Sequence, residues 1–504
     1  MRVLYIDIDS LRPDHLSCYG YLRQTSPYID AVAAQGVRFT NYYATDTPCL
    51  PSRTAFFGGM FGLRTGVVNH GGAYADLPVQ GAGRGFRTTF AQNSLATVLR
   101  RAGYHTTSIS PFPQRHTAYQ IWYGFAEMHD TGKGGLDNAD EVYPFVQRWL
   151  QENGRRDNWF LHVNLWDPHT PYDTPASFGN PFAREPIEDW LTQAVLDGQN
   201  RSFGPHSATE VPGFTPDLSP ASRLGVGQIR TLAEAKAHMD GYDTGIRYAD
   251  EYVGCLLADL AALGIAEETA VIISADHGEN QGELNVWGDH QTADLITNRL
   301  PLIIHWPGLT DGQAGTTVDG LHYHLDLTAT LVALLGGERP STWDGRSFDP
   351  AFQGEATGRD YLVLSQGAWS CQRSVRWQNW LLIRTYHTGL KEFPAYMLFD
   401  VVADPHETTN LAAQRPDILG HGLRLLDEWV GEQMVDAWRG DPFWGVMAEG
   451  GPFHANVHSP EWRHYVQRLR ETGRAHHAEK LERFGGRPFT TGLEEGGNHE
   501  SRGK

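Results

Sequence analysis

Short apolar runs of strand length recur along the first two thirds of this chain, with segments of helical spacing between them. That alternation constrains the fold more than any other feature. Residues 3–8 form a compact apolar strand ending at Asp9, and residues 26–36 read as a helix with a serine start and a glycine stop. Residues 37–43 return as a strand. Leu95, Val98 and Leu99 carry helical spacing up to Gly103, and further strands are expected at 106–110, 159–165, 270–274 and 301–306. Ile246, Ala249, Val253, Leu256, Leu257 and Leu260 make a stripe along a helix, and Asp326 is expected to cap a helix stopped by Gly336-Gly337. Strands alternating with helices imply an α/β fold, a mostly parallel sheet flanked by helices.

Two segments break the pattern. Residues 175–227 are rich in Pro, Gly, Ser and Asp and predict a long loop or cap over the sheet. Beyond about residue 346, short strands at 361–364, 374–377, 380–384 and 397–400 and helices at 418–433 and 461–484 predict a smaller C-terminal α+β subdomain. The division expected is thus 1–350 and 351–504, with a frayed tail over 490–504.

With 504 residues the chain can bury a large core. No apolar run reaches the ~20 residues of a membrane helix. The N-terminus enters Val3-Leu4-Tyr5-Ile6 with no basic region before it, so no signal peptide is read here and the expectation is either a cytoplasmic protein or one whose leader has been removed, cytoplasmic being the reading taken. The 41 basic and 60 acidic side chains give a net charge of −19, which disfavours nucleic acid and anionic membranes as partners. A site for an anionic ligand must then supply its own positive charge. The four cysteines are widely spaced and contain no C-x-x-C pair, so free thiols are expected.

Chemistry is expected at strand ends, where ligands collect in open parallel sheets. Asp9 ends the first strand, and Asp276-His277 follow another. Such carboxylates and an imidazole can converge on a divalent cation, although a strand-end aspartate taken alone more often caps a loop or helix. Cys49 lies in Thr47-Pro48-Cys49-Leu50-Pro51-Ser52-Arg53. Pro51 suits a first helical turn, which places Cys49 at a helix N-terminus with Arg53 one turn on.

The pattern C-x-P-S-R at Cys49–Arg53 resembles the signature of the type I sulfatases of the alkaline phosphatase superfamily. Asp9, Ser10 and Cys18-Tyr19-Gly20 are similar to that family's N-terminal block, and Asp276-His277-Gly278-Glu279 to its second metal block. Leu398-Phe399-Asp400, Asp404-Pro405, Glu407 and Asn410-Leu411 resemble its C-terminal signature, so the likeness runs from about residue 2 to 411. It implies an alkaline-phosphatase-like fold and conversion of Cys49 to formylglycine by a maturation enzyme. It further implies a divalent metal, calcium foremost with manganese or zinc as alternatives, held by Asp9, Ser10, residue 49, Asp276 and His277. Ser10 stands where a second acid is usual.

Pro168-His169-Thr170-Pro171-Tyr172 resembles the family's P-H-x-P-Y element, which implies that His169 is the general acid. Two family lysines have no counterpart. Where they would fall, the chain has Arg115-His116 and Asp289-His290. The resemblance makes His116 the group that helps release sulfate, with Arg115 and His290 replacing lysine charge. A histidine in that role would lose activity at higher pH. His70 is a candidate substrate-binding residue. Trp166, Trp287 and Trp369 are either stacking surfaces for a sugar or aryl ring or packing residues.

The expected activity is hydrolysis of a carbohydrate or aryl sulfate ester. A phosphonate monoester hydrolase or phosphodiesterase of the same superfamily is the alternative, and a non-catalytic binding protein on this fold is a third reading.

Overall fold

All seven residues of the first strand, Arg2–Ile8, are buried, so it needs neighbours on both edges and cover on both faces. In the computed structural model, which describes residues 1–214, 226–435, 437 and 440–485, it has them. Trp159–Leu165 and Thr269–Ser274 flank it, both parallel. The sheet continues through His105–Ile109 to Glu127–His129 on one side. On the other it runs through Arg299–His305 to Val37–Tyr43, and there Thr317–Val318 and His322–Tyr323 complete it. Arg299–His305 is antiparallel to both of its neighbours, so the sheet is mixed but mostly parallel.

Two groups of helices cover this sheet. Pro27–Gln35 and Ala139–Asn153 pack on the long helix Leu232–Ala262, while Cys49–Gly58, Leu95–Arg101 and His324–Leu334 pack on one another. Tyr5 points toward the second group and stacks on Phe56 at 5.2 Å. Asp326 sits inside its helix rather than before it. Its carboxylate accepts the Tyr323 N–H at 2.9 Å and pairs with Arg359. The interior Pro144 is what hid helix Ala139–Asn153 from a pattern reading.

Tyr361–Gln366, Cys371–Trp377, Trp380–His387 and Tyr396–Asp400 form the expected antiparallel C-terminal sheet. Its edge is completed by Asp46–Thr47 from the N-terminal half, parallel to Tyr361–Gln366. The single helix expected at 461–484 is two, Pro460–Glu471 and Ala475–Phe484, broken where Gly473 takes φ 76°. The expected loop at 175–227 holds a helix, Gln193–Gln199. It packs through Leu191, Leu196 and Ala208 on Ala235, Met239 and Trp287. Part of that loop, and the whole tail expected at 490–504, lie outside the described residues. Among the described residues no helix is long and apolar enough to cross a membrane.

Candidate active site

Neighbouring strands deliver the acidic groups. Arg2–Ile8 hands on Asp9, whose N–H donates to the Leu165 carbonyl at 2.9 Å. Thr269–Ser274 leads into Asp276-His277. The turn after them needs Gly278, since a Cβ there would lie 2.0 Å from the Ile296 carbonyl oxygen. Helix Cys49–Gly58, buried along its whole length, points its N-terminus at these strand ends. Ser52 Oγ donates to the Asp276 carbonyl at 2.6 Å and ties the helix to the second strand.

Arg53 organises the carboxylates. Its Nη1 donates to Asp276 Oδ2 at 2.6 Å and its Nε to Asp7 Oδ2 at 2.9 Å, while its Nη2 lies 3.1 Å from Asp9 Oδ2. The guanidinium also sits over the Phe112 ring at 4.3 Å. Three buried carboxylates thus share one cation. Burial pushes the Asp276 carboxyl up, aided by Asp9, although Arg53 opposes it. For Asp7 the balance reverses: burial raises it, but Arg53 and His162 outweigh that and hold it low. Asp7 was missed in the sequence, where the only sign is an acid inside an otherwise apolar strand.

Cys49 Sγ lies 3.0 Å from His277 Nε2. Asp9, Cys49, Asp276 and His277 each offer a ligand atom, all within 4.8 Å of one another. Asp7 Oδ1 is buried without a hydrogen-bond partner, and Asp9 Oδ2 has only its 3.1 Å ion pair with Arg53. Three carboxylates on one guanidinium and a mixed oxygen–nitrogen donor set together fit a divalent cation. Ser10, in the left-handed region at φ 60°, turns its hydroxyl to Asp9 Oδ1 at 3.2 Å and its N–H to Asp276 Oδ1 at 3.2 Å. Burial, reinforced by Asp9 and Asp276, pushes the Cys49 thiol far up. Without a cation beside it, burial thus disfavours the thiolate at an unmodified Cys49.

Histidines line the rest. The His290 ring lies 4.1 Å from that of His277, tilted to it, and His169 lies 5.5 Å from His290. His70 and His116 are 4.4 Å apart and both come close to Cys49. His169 Nδ1 bonds the Thr170 carbonyl at 2.7 Å, and its ring stacks on Trp166, over which Arg115 also lies at 4.0 Å. Burial pushes His70, His169 and His290 well down and His116 to about 3. For His290 burial leads, with His277 beside it, in disfavouring the cation. The fixed positive charge comes from Arg53 and Arg115.

Two more residues went unforeseen as parts of the site. Glu279, fully buried, accepts the Tyr172 hydroxyl and faces His290. His454 comes from the far C-terminal segment Phe453–Ala455, bonds His70 (Nδ1 to Nε2, 3.0 Å) and stacks on Trp369 at 4.2 Å. Motif reading offered no signal for it. Trp166 and Trp287 are fully buried, so they resolve as packing residues.

The sulfatase family model matches residues 2–337, and the family described as N-sulphoglucosamine sulphohydrolase, C-terminal, matches residues 287–418. An ulvan-active sulfatase of Formosa agariphila is 25% identical over 81% of this chain and 76% of its own. Among solved structures, BT4656 in complex with its substrate D-glucosamine-2-N,6-O-disulfate superposes with TM-score 0.67 at 18% identity, over 87% of this chain and 99% of that one. The phosphonate monoester hydrolase of Silicibacter pomeroyi does so with TM-score 0.66 at 21% identity, over 87% and 96%. These two likenesses establish the shared α/β architecture, and the family match covers most of the chain. The protein belongs to the sulfatase family of sulfuric ester hydrolases.

Proposed function

We propose that this enzyme hydrolyses a sulfate monoester of a glycan or aryl alcohol with formylglycine, made from Cys49 by a maturation enzyme, as its nucleophile. The observation that carries the reading is position 49 itself. It lies buried at a helix N-terminus, with His277 Nε2 3.0 Å from Sγ and the Asp9 and Asp276 carboxylates close by. A divalent cation, calcium foremost with manganese or zinc as alternatives, suits Asp9, Ser10, Asp276, His277 and residue 49. Bound there, it and the formylglycine hydrate would supply an acidified hydroxyl for attack at sulfur.

The chain's own residues do the rest. The N-terminal amides of helix Cys49–Gly58 and the Arg53 and Arg115 guanidiniums favour the anionic ester. His169 Nε2 faces the site while Nδ1 is held by Thr170, so the ring is oriented to pass a proton to the departing alcohol. His116, 4.4 Å from His70, is placed to move the proton that accompanies sulfate release. His70 and His454 offer polar edges to the alcohol portion. The relatives named for ulvan and for a glucosamine disulfate support a sulfated sugar.

A wall of imidazoles with two arginines suits a singly charged ester. Sulfate monoesters carry one charge, but so do phosphonate monoesters and phosphodiesters, which keeps that activity as the second reading. The test pairs a mass spectrum of the peptide spanning residue 49 with turnover of an aryl sulfate and an aryl phosphonate. Turnover should rise in proportion to the converted fraction, favour the sulfate, and vanish in Cys49→Ala. Full activity from protein carrying only the thiol would overturn the nucleophile. A faster phosphonate reaction would exchange the two substrate readings.

A further inference from the structure

Both family matches end by residue 418, yet one imidazole of the site comes from well beyond that point. His454 reaches back across 384 positions and bonds His70, Nε2 to Nδ1, at 3.0 Å. His70 lies in turn beside the reacting position, since Cys49, His70 and His116 each bring a ligand atom within 4.8 Å of the others. With Nδ1 held, His70 keeps Nε2 as its free edge, and that atom is buried without a hydrogen-bond partner. A histidine ring left alone has broad freedom about χ2. A bond on one nitrogen fixes the ring and the role of the other.

His454 is itself held from two sides. Its ring stacks on Trp369 at 4.2 Å and 15°, and its N–H donates to the Ala368 carbonyl at 3.1 Å. Gln366 Oε1 accepts the Ala368 N–H at 2.7 Å and so fixes that segment. One oxygen ties the two imidazole-bearing turns together: Oδ1 of the buried Asn69 accepts the N–H of His70 at 2.9 Å and of Phe453 at 3.0 Å. The turns pass so closely that a Cβ on Gly71 would lie 2.1 Å from Phe453 Cδ2. Further back, Arg373 Nη2 donates to Asp441 Oδ1 at 2.7 Å and anchors the start of this C-terminal stretch.

We propose that His454 is a positioning residue, which acts on the ester through His70 by fixing that ring beside position 49 with Nε2 left for the ester. The segment 441–455 is then part of the catalytic apparatus as well as cover over it. Packing on Trp369 would accept any side chain of similar size, whereas the bond to His70 requires a polar atom at the place of Nε2. The bond stands without the nucleophile reading; its effect on turnover rests on that reading.

Two measurements on the full chain test this. The first needs no turnover. In protein labelled with nitrogen-15 on its histidine rings, the shared ring N–H should give an exchange-protected signal that is lost in both His70→Ala and His454→Leu. Absence of that signal from the parent, or its survival in either variant, overturns the bond. The second is a double-mutant cycle on turnover of an aryl sulfate by protein carrying the converted residue 49. His454→Leu should lower kcat/KM by about 10- to 100-fold. His454→Gln, whose amide can occupy the place of Nε2, should recover most of the loss. In a His70→Ala background, His454→Leu should cost nothing further. His454→Asn, too short to reach His70, should match His454→Leu and serves if that variant does not fold. Losses that add in the double variant, or a His454→Gln as impaired as His454→Leu, overturn the positioning role. If the phosphonate is the faster substrate, the same cycle is run on that ester. If residue 49 proves not to be the nucleophile, the ring signal still confirms or removes the bond.

Discussion

Arg53 answers to three carboxylates, and its removal is the most informative single change in the site. Arg53→Met would leave Asp7, Asp9 and Asp276 buried with no guanidinium among them. Breaking a buried ion pair on one side costs about 3–5 kcal/mol, and here three pairs break together. We therefore expect a loss of at least that order in chemical denaturation with chelator present. Calcium should return part of it, because a cation at Asp9 and Asp276 substitutes for the lost charge. Stability in chelator equal to the parent would show that the carboxylates tolerate each other unaided. At this scale the sequence was legible where the chemistry is local. Cys49 and Arg53 lie one helical turn apart, and Asp9, Asp276 and His277 follow apolar strands. Asp7, Glu279 and His454 were not legible as site residues, because their roles arise from contacts across 46, 107 and 384 positions.

Helix Cys49–Gly58 is held at both ends, and its C-terminal end can be tested without touching the chemistry. Gly59 takes φ 65°, and the following N–H, of Met60, donates back to the Ala55 carbonyl at 3.2 Å, a Schellman closure. A Cβ on Gly59 would lie 2.4 Å from Trp343 Cδ2, and that indole is fixed by its bond to the Asn93 carbonyl at 2.9 Å. The left-handed backbone alone penalises a non-glycine residue by about 1–2 kcal/mol, and the overlap adds to it. Gly59→Ala should accordingly lower the thermal midpoint by several degrees, read by circular dichroism. An unchanged midpoint would mean that Trp343 yields at no cost. Elements like this one were foreseen by their punctuation. The long strands of the main sheet were foreseen by their apolar runs. Asp46–Thr47 was not, since two residues carry no periodicity and pair with residues 365–366 only in the folded chain.

That two-residue strand links the two halves, because the segment entering Cys49 is also the edge of the C-terminal sheet. Both halves should then unfold together, and acid is the means of seeing it. His324, at the start of helix His324–Leu334, donates Nε2–H to the Ser52 carbonyl at 3.0 Å, while its Nδ1 is buried without a partner. His387, in the C-terminal sheet, accepts the Gly389 N–H on Nδ1 at 3.1 Å. Burial lowers both to about 4; for His324 this outweighs the opposing pull of the Ser52 carbonyl and Asp326. An unfolded histidine titrates near 6.5. Between those values the unfolded chain binds the extra protons, so stability rises with pH. The contribution is complete above about pH 6.5 and is lost as pH falls toward 4. Replacing both rings by groups that keep these hydrogen bonds but do not titrate, His324→Gln and His387→Asn, should flatten the fall of the midpoint between pH 7 and 5. Each single variant should flatten it partway while the melt stays a single transition. A double variant with the parent's slope would assign the acid sensitivity to other groups. Two separate melting steps at any pH would show that Asp46–Thr47 does not couple the halves.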